Sequence, residues 1–405
     1  MYSSRPGIHA SLAAGLLCAA CSPAPSLDAV EESGVPAAVT VRSVDPPSGP
    51  GAMAPELAAS DGGALLTWLE PTDDGHVLYL AELQGRQWTA AGRIATGDAF
   101  FANWADRPTV AEAADGSRFA HWLWKLGADT YAYGAELARS GDGGATWEPL
   151  GLLHDDASAS EHGFVSYAPL ADGGLQAFWL DGREMPGGGA MQLRSVRLGA
   201  SAPGASTLLD ERVCECCDTS AATTAAGPLV VYRDRGPSEV RDVAVVRATG
   251  EGWSEPVVIH ADGWQIHGCP VNGPAVAADG NRVAVAWFTA APRARVAVVF
   301  SDDAGASFGA PAVVDDGDPL GRVDVALDAR GRALVSWMGS TDDGAEIRWR
   351  RVERDGDVGP VGVVAATTAK RSAGVPRMLR RGDELLFAWV EDAEPSRLRV
   401  AVVEP

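Results

Sequence analysis

Positive charge is scarce in this chain. Its 405 residues hold 33 Lys and Arg against 54 Asp and Glu, a formal net charge of -21, whereas phosphate backbones demand a basic face. Nucleic acid is therefore excluded as a partner. Long apolar runs are missing too, apart from a stretch of about ten residues near the N-terminus that is too short to span a bilayer. No segment carries a sustained helical period. Cysteine is sparse, at 6 residues, yet three of them crowd into four positions of "VCECCDTSAA" as Cys214, Cys216 and Cys217.

What is plentiful is Gly (47) and Pro (26), with short runs rich in Val and Trp between them, a composition that favours β-structure. A short apolar run ending in an aromatic residue recurs: "ALLTW" at Trp68, "RFAHW" at Trp122, "LQAFW" at Trp179, "LVVY" at Tyr232, "VAVAW" at Trp287, "ALVSW" at Trp337 and "LLFAW" at Trp389. Successive spacings are 54, 57, 53, 55, 50 and 52 residues, which marks one supersecondary unit repeated. Each unit reads as a strand, a tight Asp-Gly-type turn such as "ASDGG" or "AADGN", the aromatic strand, a variable loop and two further strands. Four strands per unit, repeated radially, make an all-β propeller. Seven blades are counted, with six as the alternative. The last unit is one strand short, so the N-terminal strand "AAVTVRSV" is expected to close it at its outer edge.

The segment "ASLAAGLLCAACSPAPS" has the pattern of a secretory signal. It resembles a bacterial lipoprotein signal, with Ala19 and Ala20 before Cys21 and Ser22 after it, which implies that Cys21 is lipidated; an ordinary cleaved signal is the alternative. Residues 1–20 are then the signal, 21–37 a Pro- and Ser-rich tether, and 38–405 the propeller. The expected location is extracytoplasmic, on a membrane facing the periplasm or the cell surface, with the lipid as the only membrane contact.

Two turns carry a sharper signature, "SGDGGATW" at Ser140 to Trp147 and "SDDAGASF" at Ser301 to Phe308. Both fit Ser-x-Asp-x-Gly-x-Ser/Thr-aromatic and resemble the Asp box of sialidase-like (BNR-repeat) propellers. In that family the box folds a turn away from the active site, so Asp142 and Asp303 are expected to be structural. The resemblance implies a propeller that binds and hydrolyses an anionic glycan, although the family's enzymes have six blades. Fold alone does not fix function, and a non-catalytic module binding a ligand, partner or metal is the alternative.

In a propeller the site lies at one mouth of the channel, and the loops there gather arginines unusually for an acidic chain: Arg107, Arg183, Arg233, Arg235, Arg241, Arg322 and Arg377. Guanidinium groups bind carboxylates bidentately, and family sialidases use three of them. Arg107 in "DRPTV" partly matches the first of those; Arg235, Arg241 and Arg322 qualify by position. Carboxylates available for acid–base work on a glycosidic bond are Asp106, Glu161, Glu239 and Asp324, with Asp181, Asp218 and Asp242 nearby in sequence. The family's Tyr-Glu nucleophile pair is not evident; Tyr131 and Tyr133 lie in a mouth loop, whereas Tyr232 replaces a core Trp. His162 in "EHGF" and His267 face the mouth, and His121 is expected to be packed. The competing reading is that the Asp-Arg pairs merely stitch loops together.

The cysteine loop leads into blade four, and "IHGCPVNGP", with His267 and Cys269, leads into blade five. Neighbouring blades bring the four cysteines together, and an oxidising compartment favours disulfides, Cys269 bridging to one of the three. Zinc or copper held by the thiolates with His267 is the alternative, and a free thiol the third. Otherwise no cofactor is expected, the ligand is a carbohydrate or other small anion, and the protein is a monomer.

Overall fold

The computed structural model describes residues 40–404. The signal and the whole tether, Cys21 included, lie outside the described residues. The chain forms seven antiparallel sheets in succession. Blade one comprises Met53–Ser60, Gly63–Thr72, Gly75–Gln84 and Gly92–Gly97, and the following blades repeat that order from the axis outward. In the last sheet, Arg377–Arg381, Glu384–Glu391 and Arg397–Val403 are followed by Val41–Ser43, whose Val41 pairs with Val403.

The turn chemistry explains the tight first hairpins. Gly63 has φ of 155°, and a Cβ there would strike the Leu83 carbonyl of the next strand. In "SGDGGATW", Asp142 accepts hydrogen bonds from the Ser140 hydroxyl and the Thr146 amide and hydroxyl. Asp303 does the same with Ser301 and Ser307. Both aspartates staple turns.

The core is a set of wedges between blades. One apolar cluster joins blades five and six around Trp337, another blades three and four around Tyr232, and a third blades seven and one around Trp68. Trp68, Trp179, Trp287 and Trp337 are completely enclosed, as is Tyr232. In three successive blades this aromatic also reaches backward. Tyr232 Oη, Trp287 Nε1 and Trp337 Nε1 each donate at 2.6 Å to Asp210, Asp262 and Asp315 respectively. Those aspartates end the outermost strands of the preceding blades, or stand just beyond them.

Replacing Trp337 by Phe keeps an aromatic ring but removes the indole donor from Asp315, which retains the Gly317 amide at 2.9 Å, at a cost of about 1–3 kcal/mol. Urea unfolding of W337F measures it; an unchanged midpoint would show that the indole hydrogen bond does not clamp the blades.

Candidate functional site

The seven innermost strands surround a cavity of about 340 Å³ to which every blade contributes. A repeated backbone device aims side chains into it. Ala54, Phe164 and Arg322 adopt φ of 52°, 53° and 55°, and strand register slips there, between Met53 and Glu56, Gly163 and Ser166, and Gly321 and Asp324. These are bulges, which re-aim side chains beside sites. Non-glycine residues in that region of φ store about 1–3 kcal/mol each. Two positions after each kink stands Glu56, Ser166 or Asp324, all lining the cavity.

Charges then link around the mouth. Arg377 contacts Asp324 at 3.4 Å and Glu56 at 2.8 Å. Glu56 contacts Arg107 at 3.0 Å, and Arg107 contacts Asp218 at 2.9 Å. Five residues from blades six, seven, one, two and four thus form one continuous belt. Burial works against the Arg107 charge, but Asp218 and Glu56 outweigh it and raise its pKa. Burial and the Glu56 charge raise the Asp324 carboxyl, with Arg377 opposing.

Asp106 borders the same cavity and is 1% exposed. Its Oδ1 accepts the Phe164 amide at 2.9 Å and its Oδ2 lies 3.1 Å from the Tyr133 hydroxyl. That hydroxyl is also 2.7 Å from Glu161 Oε1. A Cβ at Gly163 would collide with Asp106 Oδ2, so glycine is what lets the carboxyl lie against blade three. Burial, reinforced by the Asp218 and Glu161 charges, pushes Asp106 up to about 8. Burial and the Glu215 charge push Glu161 up to about 7. Burial and both carboxylates raise Tyr133. The site therefore holds a proton on a buried carboxyl at neutral pH, beside carboxylates paired to guanidinium groups.

Several expected residues lie elsewhere. Arg235 and Arg241 do not border the cavity; they converge on Glu215 and Glu239, at 2.8 Å from Arg241 to Glu215 and 2.9 Å from Arg235 to Glu239. Arg235 holds Glu239 down at about 2, so Glu239 has no proton to give. Arg183 is tied to Asp181 and Asp155, each at 2.7 Å. Arg233 is buried, donates to the Arg241, Asn272 and Phe288 carbonyls, and lies 4.8 Å over Trp264. His162 is fully enclosed rather than at the mouth, stacked 3.8 Å from His154 with Nε2 facing Asp156 at 3.1 Å. Asp242 accepts the Gly263 and Trp264 amides. His267 is exposed, and His121 and Tyr232 are packed in the core.

Three arginines do converge on one carboxylate, but it is the protein's own Glu239, held by Arg212 at 3.2 Å, Arg235 at 2.9 Å and Arg241 at 3.1 Å away from the cavity. Arg322 is the exception among those bordering the cavity, with no carboxylate partner among the described residues. It donates to the Gly374 carbonyl at 2.6 Å and lies 5.1 Å over Trp104, and Arg371 lies 5.8 Å from the same ring. Burial and the Arg371 charge lower Arg322 to about 10, which leaves it charged at neutral pH.

The cysteines form two disulfides, Cys216 with Cys269 across blades and Cys214 with Cys217 within the loop. The second has a sequence separation of 3. A Tyr-Glu pair also exists, Tyr133 with Glu161, but its phenol is 1% exposed and stacked on Phe101 at 4.2 Å. Sequence reasoning missed Glu56, Trp104 and Glu215. Aligning the repeats on their innermost strands would have found Glu56, because it stands where Asp324 stands in blade six.

No family model matches the chain, and no curated protein matches it. Solved structures share its architecture. The polysaccharide lyase Uly1 is 9% identical, with 87% of this chain and 90% of that chain covered and a TM-score of 0.55. An ulvan lyase of a new polysaccharide lyase family, bound to a -[GlcA(1-4)Rha3S]- chain, is 11% identical over 89% and 95%, at 0.54. An α-L-arabinofuranosidase from Fusarium graminearum, in complex with an iminosugar inhibitor, is 15% identical over 90% and 98%, at 0.50. At these identities the likeness is one of fold, a propeller shared with glycan-acting enzymes, and the sialidase family finds no match.

The raised carboxyls have a measurable consequence. The folded state keeps a proton on Asp106 that the unfolded chain releases near 3.8. Its stabilising contribution is therefore full below that value and is lost as pH rises toward about 8. Asp106→Asn, which mimics the protonated form, should gain stability relative to the native protein between about pH 5 and pH 8. The expected gain approaches about 1.4 kcal/mol per pH unit. Urea unfolding at several pH values checks this, and parallel curves for the two proteins would refute a raised Asp106.

Proposed function

We propose that this protein is a carbohydrate-active propeller whose channel mouth binds an acidic glycan and cleaves it, with Asp106 as proton donor. The observation that carries the reading is a buried carboxyl that stays protonated at neutral pH on the wall of a cavity whose other carboxylates are paired to arginines. Environments that push carboxyl groups apart in pKa are how acid and base roles are divided in glycoside chemistry. Asp218, held by Arg107 and close enough to raise Asp106, is the second carboxylate. Arg322, on the cavity wall and without a carboxylate partner among the described residues, takes the place of the arginine cluster: such a cation suits a sugar ring bearing a carboxylate or sulfate. The glycan-acting proteins that share the fold support the assignment of substrate class. In this reading the signal and a lipid on Cys21 hold the propeller on the outer side of a bacterial membrane.

The belt's mutual pairing favours a second reading, a glycan-binding module without turnover, since neither of its guanidinium groups is free.

Incubation with a panel of neutral and uronic polysaccharides, followed for new reducing ends and for unsaturated uronate, separates the readings and distinguishes hydrolysis from elimination. Turnover should fall by about 10²-fold or more in Asp106→Asn. Arg322→Gln should weaken binding of acidic chains while leaving neutral ones unchanged. Binding without turnover supports the second reading, and absence of both overturns the carbohydrate assignment.

A further inference from the structure

Beside the bonded Cys214–Cys217 pair, the loop holds a third sulfur, that of Cys216. The Sγ atoms of Cys214, Cys216 and Cys217 lie within 4.8 Å of one another. Cys214 and Cys216, which are not bonded to each other, are 3.9 Å apart. Three sulfurs bound to one ion at about 2.3 Å stand about 4 Å apart, so the loop already has the spacing of a coordination site. A second observation points the same way. Arg241, only 3% exposed, places Nη1 at 3.2 Å from Cys214 Sγ, and its buried Nε has no acceptor. That guanidinium also serves Glu215 at 2.8 Å and Glu239 at 3.1 Å, and its donor to Cys214 stabilises a thiolate there.

We propose that, once its disulfides are reduced, the Cys214, Cys216 and Cys217 loop is a three-thiolate site for copper(I). The choice of ion follows from the donors. Zinc takes four ligands in a tetrahedron, and the cluster among the described residues ends at three sulfurs, without His267 or Cys269. A soft, low-coordinate cation suits an all-thiolate set. The reductant is a dithiol. Each disulfide accepts two electrons and two protons from one dithiol, which becomes a disulfide in turn. Copper(I) then displaces the protons of the three loop thiols, and Cys269 remains a thiol. Copper keeps its oxidation state throughout. The site does not depend on the channel mouth, so it stands or falls apart from the carbohydrate reading.

The test uses the full chain, reduced anaerobically with a phosphine and titrated with copper(I) held by the chromophoric chelator bicinchoninate. The reduced protein should withdraw one copper per chain, and the oxidised protein none. Cys269→Ser, which frees Cys216 without removing a ligand, should keep that stoichiometry. Cys214→Ser and Cys217→Ser should lose affinity by at least about tenfold, and Arg241→Gln by about 10–100-fold, the usual cost of an outer partner. Circular dichroism identifies any unfolded variant, in which case Cys269→Ser and Arg241→Gln decide. The proposal is overturned if copper stays on the chelator with the reduced native protein, if the oxidised protein binds it equally, or if the variants bind undiminished.

Discussion

The channel mouth is governed by one chain of five charges running from Asp324 through Arg377, Glu56 and Arg107 to Asp218. Removing ions from water is expensive, and a buried pair recovers that cost only when its geometry and hydrogen bonds are complete. Glu56 meets the condition by serving two guanidinium groups with its two oxygens. Loss of either arginine would leave an uncompensated buried charge, so the five positions constrain one another. The belt holds three carboxylates against two guanidinium groups, and a further anion in the same low-dielectric space is disfavoured. The charge of Asp218 adds to burial, the larger cause, in raising Asp106. The site's acidity is thus set by burial and tuned by the bridges beside it.

Those bridges depend on the bulges. A regular strand would alternate its side chains without regard to the axis, whereas a kink two residues before Glu56 and Asp324 turns both carboxylates toward the channel. Strain held at such points is stable only where the surroundings over-determine it. Here the apolar wedges between blades supply that support, since Ala54 and Phe164 are themselves wedge residues.

The fold was legible because each blade repeats one local pattern. An aromatic at a fixed place, a turn with glycine and a period near 53 residues are all readable within a single unit, and Trp68, Trp179, Trp287 and Trp337 fill equivalent enclosed positions. The site was legible only in part because its contacts join units. Arg377 and Glu56 are 321 residues apart in sequence, and no spacing rule connects them. Arginines were correctly seen to gather in the loops, but Arg235 and Arg241 are neutralised by Glu215 and Glu239, which only coordinates reveal. Asp106, Asp324 and Arg322 do border the cavity, whereas Glu239 and His162 do not: one is held ionised by its arginines, and the other points into the protein. The inter-blade Cys216–Cys269 bridge follows the expected pairing of neighbouring loops. With Cys216 taken by Cys269, the two cysteines left in the loop, Cys214 and Cys217, pair with each other.

The aromatic clamps have a direction. Tyr232, Trp287 and Trp337 each donate to an aspartate that precedes them in the chain, at or just past the outer strand of the blade before. During synthesis the acceptor therefore emerges first, and for blades four, five and six the docking point precedes the aromatic that uses it. A chain assembled in that order exposes one unfinished edge at a time, which limits the open strand edges through which partly made β-proteins associate wrongly.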